Sequence, residues 1–533
     1  YARKPEPSLM ELIRNPLNVI RSRLEGVPYQ SLKSRGDWGI KRYFENELRL
    51  NEKQGELKTI PSLNCTSTES IPHQSLVRFR CMVQDILDPE FYSAIYEEQN
   101  TKTGSKTMRT GKYRDLVDVP DDCKVDLDGT SVTLSRLPLL CVPIPGESPW
   151  LCETLDGKSV EIKHSGDASK LKRRRSDGCE DTLGTPEKKE TSRRKTDKRK
   201  WNRGSQESDD VAPMEGEAPS DQGRSAERTA SSQRGFYISE KGCMVKVYDQ
   251  QSPSFKVCDM VEFIGIFSAN PMLSTDDDDI NWCRFNPPAS AVPRLHVITF
   301  RKLSSTCSLV PSPSNAQLFE MKREALRKNL PSLRTQLLAH ITRVLGGDQT
   351  AAEVLLLHML SRVRYRRAGQ VVGKFCLGLR GVEPRHAKVI AEMMRYLKPT
   401  VKPLEVNISS MNRGGFMPVK DYDTNHLKQG QLQAVAGTQL VLDETKLEEG
   451  KLTDTGCRSF RAMQNLIAEQ KLLYDFKYHE MKFDTDTPVL VLSKGKSIFK
   501  CDSTLSVKGN KTIPVSYSEI RPSQSAVNSW REY

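Results

Sequence analysis

The residues best suited to chemistry in this 533-residue chain are Asp443 and Glu444, which end the run LVLDE (Leu440–Glu444). Three aliphatic residues leading into paired carboxylates describe a buried strand with an acidic tip. The first acid suits Mg²⁺, and the second suits a water poised to attack a phosphoryl group. Such chemistry also needs an upstream turn of the form G-x-x-x-x-G-K-[ST]. Its backbone N–H groups hold phosphate, its lysine reaches the terminal phosphates, and its hydroxyl ligates the metal. No segment of the chain has this form. The nearest is R-G-V-E-P-R-H-A-K-V (Arg380–Val389), between the apolar run KFCLGL (Lys374–Leu379) and a helix expected to start near Pro384. Gly381 takes the place of the first glycine and Lys388 that of the lysine. Ala387 stands where the second glycine belongs, the spacing is one residue too long, and Val389 has no hydroxyl. Pro384 removes an N–H donor, and Glu383 repels phosphate. Nucleotide binding is therefore not expected, and the sequence assigns no catalytic residue, metal or cofactor.

The elements around these residues have a telling order: apolar strand, broken turn, helix, LVLDE, and then PVLVLS (Pro488–Ser493). This order resembles an AAA+ ATPase domain, with Ser493 replacing the usual sensor asparagine. A degenerate AAA+-like α/β domain is therefore expected over residues 315–533. A plainer account of Asp443–Glu444 is a strand-end turn followed by an acidic helix start at Lys446–Glu449. Upstream, Leu333, Leu337, Leu338, Ile341, Val344 and Leu345 form one helical stripe, and Val354, Leu355, Leu357, Met359 and Leu360 form the next. His358 reads as a core histidine, and Met393–Met394 as ordinary helix packing.

The amino-terminal half has a different period. Residues 1–60 show helical spacing (Leu9, Ile13, Leu17, Ile20, Leu24), whereas Val77, Phe79, Cys81 and Val83 alternate with Arg78, Arg80 and Gln84 as in a half-buried strand. Further short strands are expected at 132–134, 139–142, 244–248, 261–268 and 294–300. Strands without intervening helices point to a barrel or sandwich. DMVEFIGIFS (Asp259–Ser268) resembles a late strand pair of OB-folds, so residues 61–152 and 236–305 are assigned as two parts of one OB-like domain. If such a barrel bound single-stranded nucleic acid, Phe91, Tyr92 and Tyr96 would supply stacking rings, and Arg78, Arg80, Lys112 and Arg114 the basic groove.

Between those parts, residues 153–235 hold few large apolar side chains and cannot offset their ordering entropy by burial; they read as a disordered basic linker. The chain carries a formal charge of +13, and residues 171–203 alone contain thirteen Lys/Arg against six Asp/Glu. The excess thus belongs mainly to the linker, which argues against a broad basic surface on the folded parts. Two clusters there read as nuclear-localisation signals for import receptors: Lys172, Arg173, Arg174 and Arg175, then Arg193, Arg194, Lys195, Lys198, Arg199 and Lys200. Thr185, in a T-P-E-K run between them, is a candidate phosphosite whose added charge would weaken import. Thirteen scattered cysteines without C-x-x-C spacing suit a reducing compartment. No apolar run approaches 18 residues. Starting at Tyr1 without Met, the chain reads as a fragment.

Several runs carry a longer resemblance: VRFRCMVQDILDPEFYSAIYE (Val77–Glu97), GKYRD (Gly111–Asp115), CVPIPGESPW (Cys141–Trp150), MVKVY (Met244–Tyr248), VPRLHVI (Val292–Ile298), LGGDQTAAEVLLLHMLS (Leu345–Ser361), MPVKDY (Met417–Tyr422) and LVLDETKLEEGKL (Leu440–Leu452). In these the chain resembles the minichromosome-maintenance-complex-binding protein family. The resemblance implies a nuclear, non-catalytic relative of the replicative helicase subunits. Such a protein would bind those subunits in DNA replication and sister-chromatid cohesion, assist helicase assembly, supply or unloading, and meet chromatin indirectly. It also implies a further carboxy-terminal helical region after Tyr533. The expected fold is α+β and multidomain: a helical segment, an OB-like barrel interrupted by a long insertion, then a degenerate AAA+-like domain. A single-strand DNA-binding module and an active AAA+ ATPase remain the alternatives.

Overall fold

The computed structural model describes residues 7–25, 27, 36–48, 59–115, 119–126, 131–156, 242–248, 255–269, 292–303, 316–509 and 516–532. Three helices come first, α1 (Leu9–Arg14), α2 (Pro16–Leu24) and α3 (Ile40–Glu47). The Ser8 hydroxyl accepts from the Glu11 N–H to start α1, and Pro16 opens α2, where its missing N–H costs nothing.

Strands β1 (Leu76–Ile86), β2 (Glu90–Asn100), β3 (Lys106–Thr110), β4 (Cys123–Asp126) and β5 (Val132–Pro143) follow, then helix α4 (Pro149–Asp156) and strands β6 (Cys243–Val247), β7 (Met260–Ser268) and β8 (Arg294–Lys302). They form one sheet in the order β1-β7-β8-β6-β5-β2-β3, with β4 on β2, and a β1–β5 pairing closes β1, β7, β8, β6 and β5 into a ring. Alternation sets its interior: Val77, Phe79, Cys81 and Val83 point inward with Cys141, Cys243, Val245, Phe263 and Leu295. The other face of β1 was expected to meet water, but it too is buried. Leu76 packs under α1–α3, Arg78 pairs with Glu262 at 3.6 Å, Arg80 pairs with Glu147, and Gln84 donates to the Leu427 carbonyl. A strand covered on both faces needs a partner for each polar residue on it, and each of these has one.

The carboxy-terminal half begins with the long helix α5 (Ala316–Val344) and α6 (Gln349–Leu360), joined to the hairpin β9 (Tyr365–Arg367) and β10 (Gln370–Val372). The chain continues through β11 (Leu377–Arg380), α7 (Pro384–Leu397), β12 (Val401–Glu405), α8 (Ile408–Arg413), β13 (Val419–Asp421), β14 (His426–Lys428), β15 (Gln439–Asp443) and α9 (Asp454–Glu469). It ends with β16 (Lys471–Asp475), β17 (Glu480–Asp484), β18 (Val489–Ser493), β19 (Ser503–Ser506) and α10 (Gln524–Glu532). A parallel sheet runs β12-β15-β18-β11-β19. Leu379, Val441, Leu490 and Leu492 pack to one side with α5, α6, α7 and α10, while Leu440, Leu442, Val489 and Val491 pack to the other with α9. Burial on both faces is why LVLDE and PVLVLS read as unbroken apolar runs. The second sheet, β14-β13-β16-β17, lies beside it.

The two halves share a boundary with an apolar cluster and several hydrogen bonds across it. Met82, Val142, Ile144 and Met260 from the ring pack with Val435, and Asp85 accepts the Leu427 N–H at 2.7 Å. The Gly146–Ser148 loop reaches the start of β12: the Val401 N–H donates to the Gly146 carbonyl, and the Ser148 N–H donates to that of Pro399. Trp150 donates its indole N–H to the Arg395 carbonyl, and the Arg531 guanidinium lies 3.7 Å above the Trp150 ring. The fold is thus mixed α/β with several sheets, and no described helix is long and apolar enough to cross a membrane.

Candidate functional site

In an open parallel sheet, ligands bind in the crevice beyond the carboxyl ends of the strands. That edge gathers the ends of β11, β15 and β18, and with them Gly381, Asp443, Glu444 and Ser493. Gly381 has φ +76°, which lets the chain leave β11 abruptly for α7. The turn's donors, however, point into the protein. The Gly381 N–H donates to the Lys494 carbonyl at 3.1 Å and the Val382 N–H to the Ser493 carbonyl at 3.0 Å. A phosphate nest needs such consecutive N–H groups aimed outward. An exposed Glu383–Lys494 pair, 3.5 Å apart, lies across the same turn. Ala387 is buried against the α5–α7 core, and Lys388, one turn along α7, is exposed.

The acids are also occupied. Asp443 accepts from the N–H and the hydroxyl of Thr445, at 2.9 and 2.6 Å, closing a tight turn at the end of β15. The helix start expected at Lys446–Glu449 is therefore not there. The chain instead runs through turns to Thr453, whose hydroxyl caps α9 through the Gly456 N–H. Glu444 is buried and accepts the Ser497 hydroxyl at 3.0 Å. Burial pushes its carboxyl up to about 7, against the opposing pull of the Ser497 hydroxyl and the Ile498 and Phe499 N–H groups; Asp443 adds to the rise. Ser493 turns its hydroxyl to the Gly495 carbonyl. This crevice therefore brings together the expected residues and ties each of the three side chains to its own loops. Ser497 was not singled out in the sequence, where an isolated serine between Lys496 and Ile498 carries no signal.

The aromatic platform is not assembled. Phe91 is 79% exposed, but Tyr92 and Tyr96 are buried, Tyr92 edge-on to Tyr248. Of the basic groove, Arg78 and Arg80 lie in the buried pairs above, and Lys112 is buried 3.3 Å from Asp37. His358 is a core residue: its Nδ1 contacts the Phe375 carbonyl at 2.6 Å and its Nε2 the Gln439 amide at 2.7 Å, while burial lowers its pKa to about 4. The linker, the basic clusters Lys172–Arg175 and Arg193–Lys200, and Thr185 lie outside the described residues. The ten described cysteines are free thiols.

Comparison with known proteins adds an independent line. A family profile described as "Mini-chromosome maintenance replisome factor" matches residues 44–533. Among curated proteins the chain is similar to the mini-chromosome maintenance complex-binding protein of Danio rerio, at 34% identity over 99% of this chain and 86% of that one. It is also similar to the proteins of that name from Homo sapiens, at 33% over 93% and 82%, and Arabidopsis thaliana, at 30% over 98% and 86%.

Proposed function

The chain belongs to the mini-chromosome maintenance complex-binding protein family, and from that membership we propose that it binds the mini-chromosome maintenance helicase through a scaffold that does not turn over nucleotide. The observation that carries this reading is the occupied crevice: the Gly381 and Val382 N–H groups are spent on the Lys494 and Ser493 carbonyls, and Glu444 is spent on Ser497. The carboxy-terminal half is read as a degenerate AAA+-like domain and the strand ring as an OB-like barrel interrupted by the 153–235 linker. AAA+ subunits assemble by packing one domain against the next. A relative without the hydrolysis cycle would occupy such a face as a placeholder, and a non-closing contact of this kind holds a ring open. On this reading the chain acts in helicase assembly, supply or unloading during DNA replication, with cohesion as a downstream consequence. Its basic clusters direct it to the nucleus through import receptors, Thr185 phosphorylation weakens that step, and chromatin is met through the helicase.

The test uses the full chain. Calorimetry with ATP and Mg²⁺ is expected to show no saturable heat, and purified mini-chromosome maintenance complex is expected to be retained by the immobilised chain. Tight Mg²⁺-dependent nucleotide binding, or a complex that passes through unretained, would overturn the proposal.

A further inference from the structure

Helix α6 is apolar on more sides than the fold covers. Its inward side, with Ala352, Leu355, Leu356 and Met359, packs into the α5–α7 core. Its outer side begins polar, with Gln349 and Thr350 exposed, and turns apolar toward its carboxyl end. Here Leu357 and Leu360, three residues apart and so on one side, are 62% and 48% exposed, and Val354, one turn earlier on that side, is half-buried. The chain then passes directly into the β9–β10 hairpin, where Tyr365 is 59% exposed.

Charge at this end of the stripe is unbalanced. Arg362 pairs with Asp486 at 3.5 Å, and Arg366 donates to the carbonyls of Glu469, Gln470 and Thr485. Arg364 and Arg367 are exposed and have no acidic partner among the described residues. Glu353, the one acid on the helix, lies on the same side one turn before Leu357, so the end of the stripe beyond Leu357 holds arginine and no acid from the helix. Tyrosine and arginine are enriched at interface centres, and here they border an exposed leucine patch of the kind that marks an interaction site.

We infer that the outer side of α6 and the β9–β10 hairpin form a docking surface for an acidic segment of the helicase that carries apolar side chains. Those side chains lie on Val354, Leu357 and Leu360, and its carboxylates meet Arg364 and Arg367. The arginines exclude a second copy of the same basic surface as the natural occupant, because like charges would then face each other. This inference rests on the helicase-binding proposal for its partner and adds the surface and the chemistry.

The experiment measures binding of the full chain to immobilised purified mini-chromosome maintenance complex. The double variant Leu357→Ser/Leu360→Ser is expected to bind about a hundredfold more weakly, since two partly exposed leucines lose their burial. Arg364→Glu/Arg367→Glu is expected to bind about tenfold more weakly and to lose most of the salt dependence seen with the wild type. All four side chains are exposed, so both variants should melt as the wild type does, and a melting curve checks this. If wild type and both variants bind alike, the surface is wrong while the helicase proposal stands. If the wild type does not bind, both fall. Should sedimentation show a wild-type dimer that the leucine variant abolishes, the occupant is a second copy and the inference is overturned.

Discussion

Replacing Glu444 by Gln should stabilise the protein at alkaline pH and leave it nearly unchanged in acid. The carboxyl sits folded at about 7 because burial disfavours its charged form, so the folded state prefers the proton that the unfolded chain gives up near 4.5. A pKa raised on folding contributes stability that is complete below the unfolded value and is lost as pH rises toward the folded one. The window here runs from about pH 4.5 to about 7. Across the whole of it the loss is about 3 kcal/mol, and between pH 5.5 and 8 about 2 kcal/mol. Gln keeps the shape and can still accept the Ser497 hydroxyl, but carries no charge to bury. Urea unfolding of wild type and variant at pH 5.5 and pH 8 gives the double difference directly, and the variant's advantage should grow by about 2 kcal/mol between the two. An equal difference at both pH values would mean that Glu444 titrates normally. It would then face solvent or an ion instead of Ser497, and the account of the crevice would fail.

Three further outcomes test other parts of the structure. Arg80→Ala removes the charge that faces Glu147 in a largely buried pair and should cost roughly 3–5 kcal/mol, read by denaturant midpoint; a cost below about 1 kcal/mol, the range of an exposed pair, would contradict the burial of β1's second face. Leu490→Ala, in the middle of the parallel sheet, should cost about 2–5 kcal/mol through transfer and cavity. Lys388→Ala should leave ATP calorimetry and melting temperature both unchanged, since the side chain is exposed on α7; a nucleotide signal that disappears with it would restore the lysine to a working site.

What could be read in the chain and what could not follows from the range of the interactions involved. The alternation Val77–Phe79–Cys81–Val83 placed β1 correctly because a strand's period is local, as did the aliphatic runs at Leu440 and Val489. The burial of Arg78 and Arg80 was illegible because their partners, Glu262 and Glu147, lie 184 and 67 residues away. Likewise, a missing second glycine and a misplaced proline already argued against a phosphate cradle at Gly381, but only the fold shows where the turn's N–H groups went, to carbonyls more than a hundred residues on. The helix start at Lys446–Glu449 failed for a local reason: acidic residues suit a first turn, but Asp443 had already closed the chain on Thr445, and the capping hydroxyl came only at Thr453.

The Gly146–Ser148 loop joined to the start of β12 has a mechanical meaning. Motor subunits generate force by letting one lobe swing against another as the nucleotide changes. Here main-chain hydrogen bonds, an indole anchored to a helix carbonyl and a stacked guanidinium clamp the strand ring to the parallel sheet. A clamp of that kind turns two lobes into one rigid tool, whose shape is presented whole to whatever it grips. A cut between the lobes would bare Met82, Val142 and Val435 to water, so fragments are expected to aggregate rather than report which lobe does the gripping.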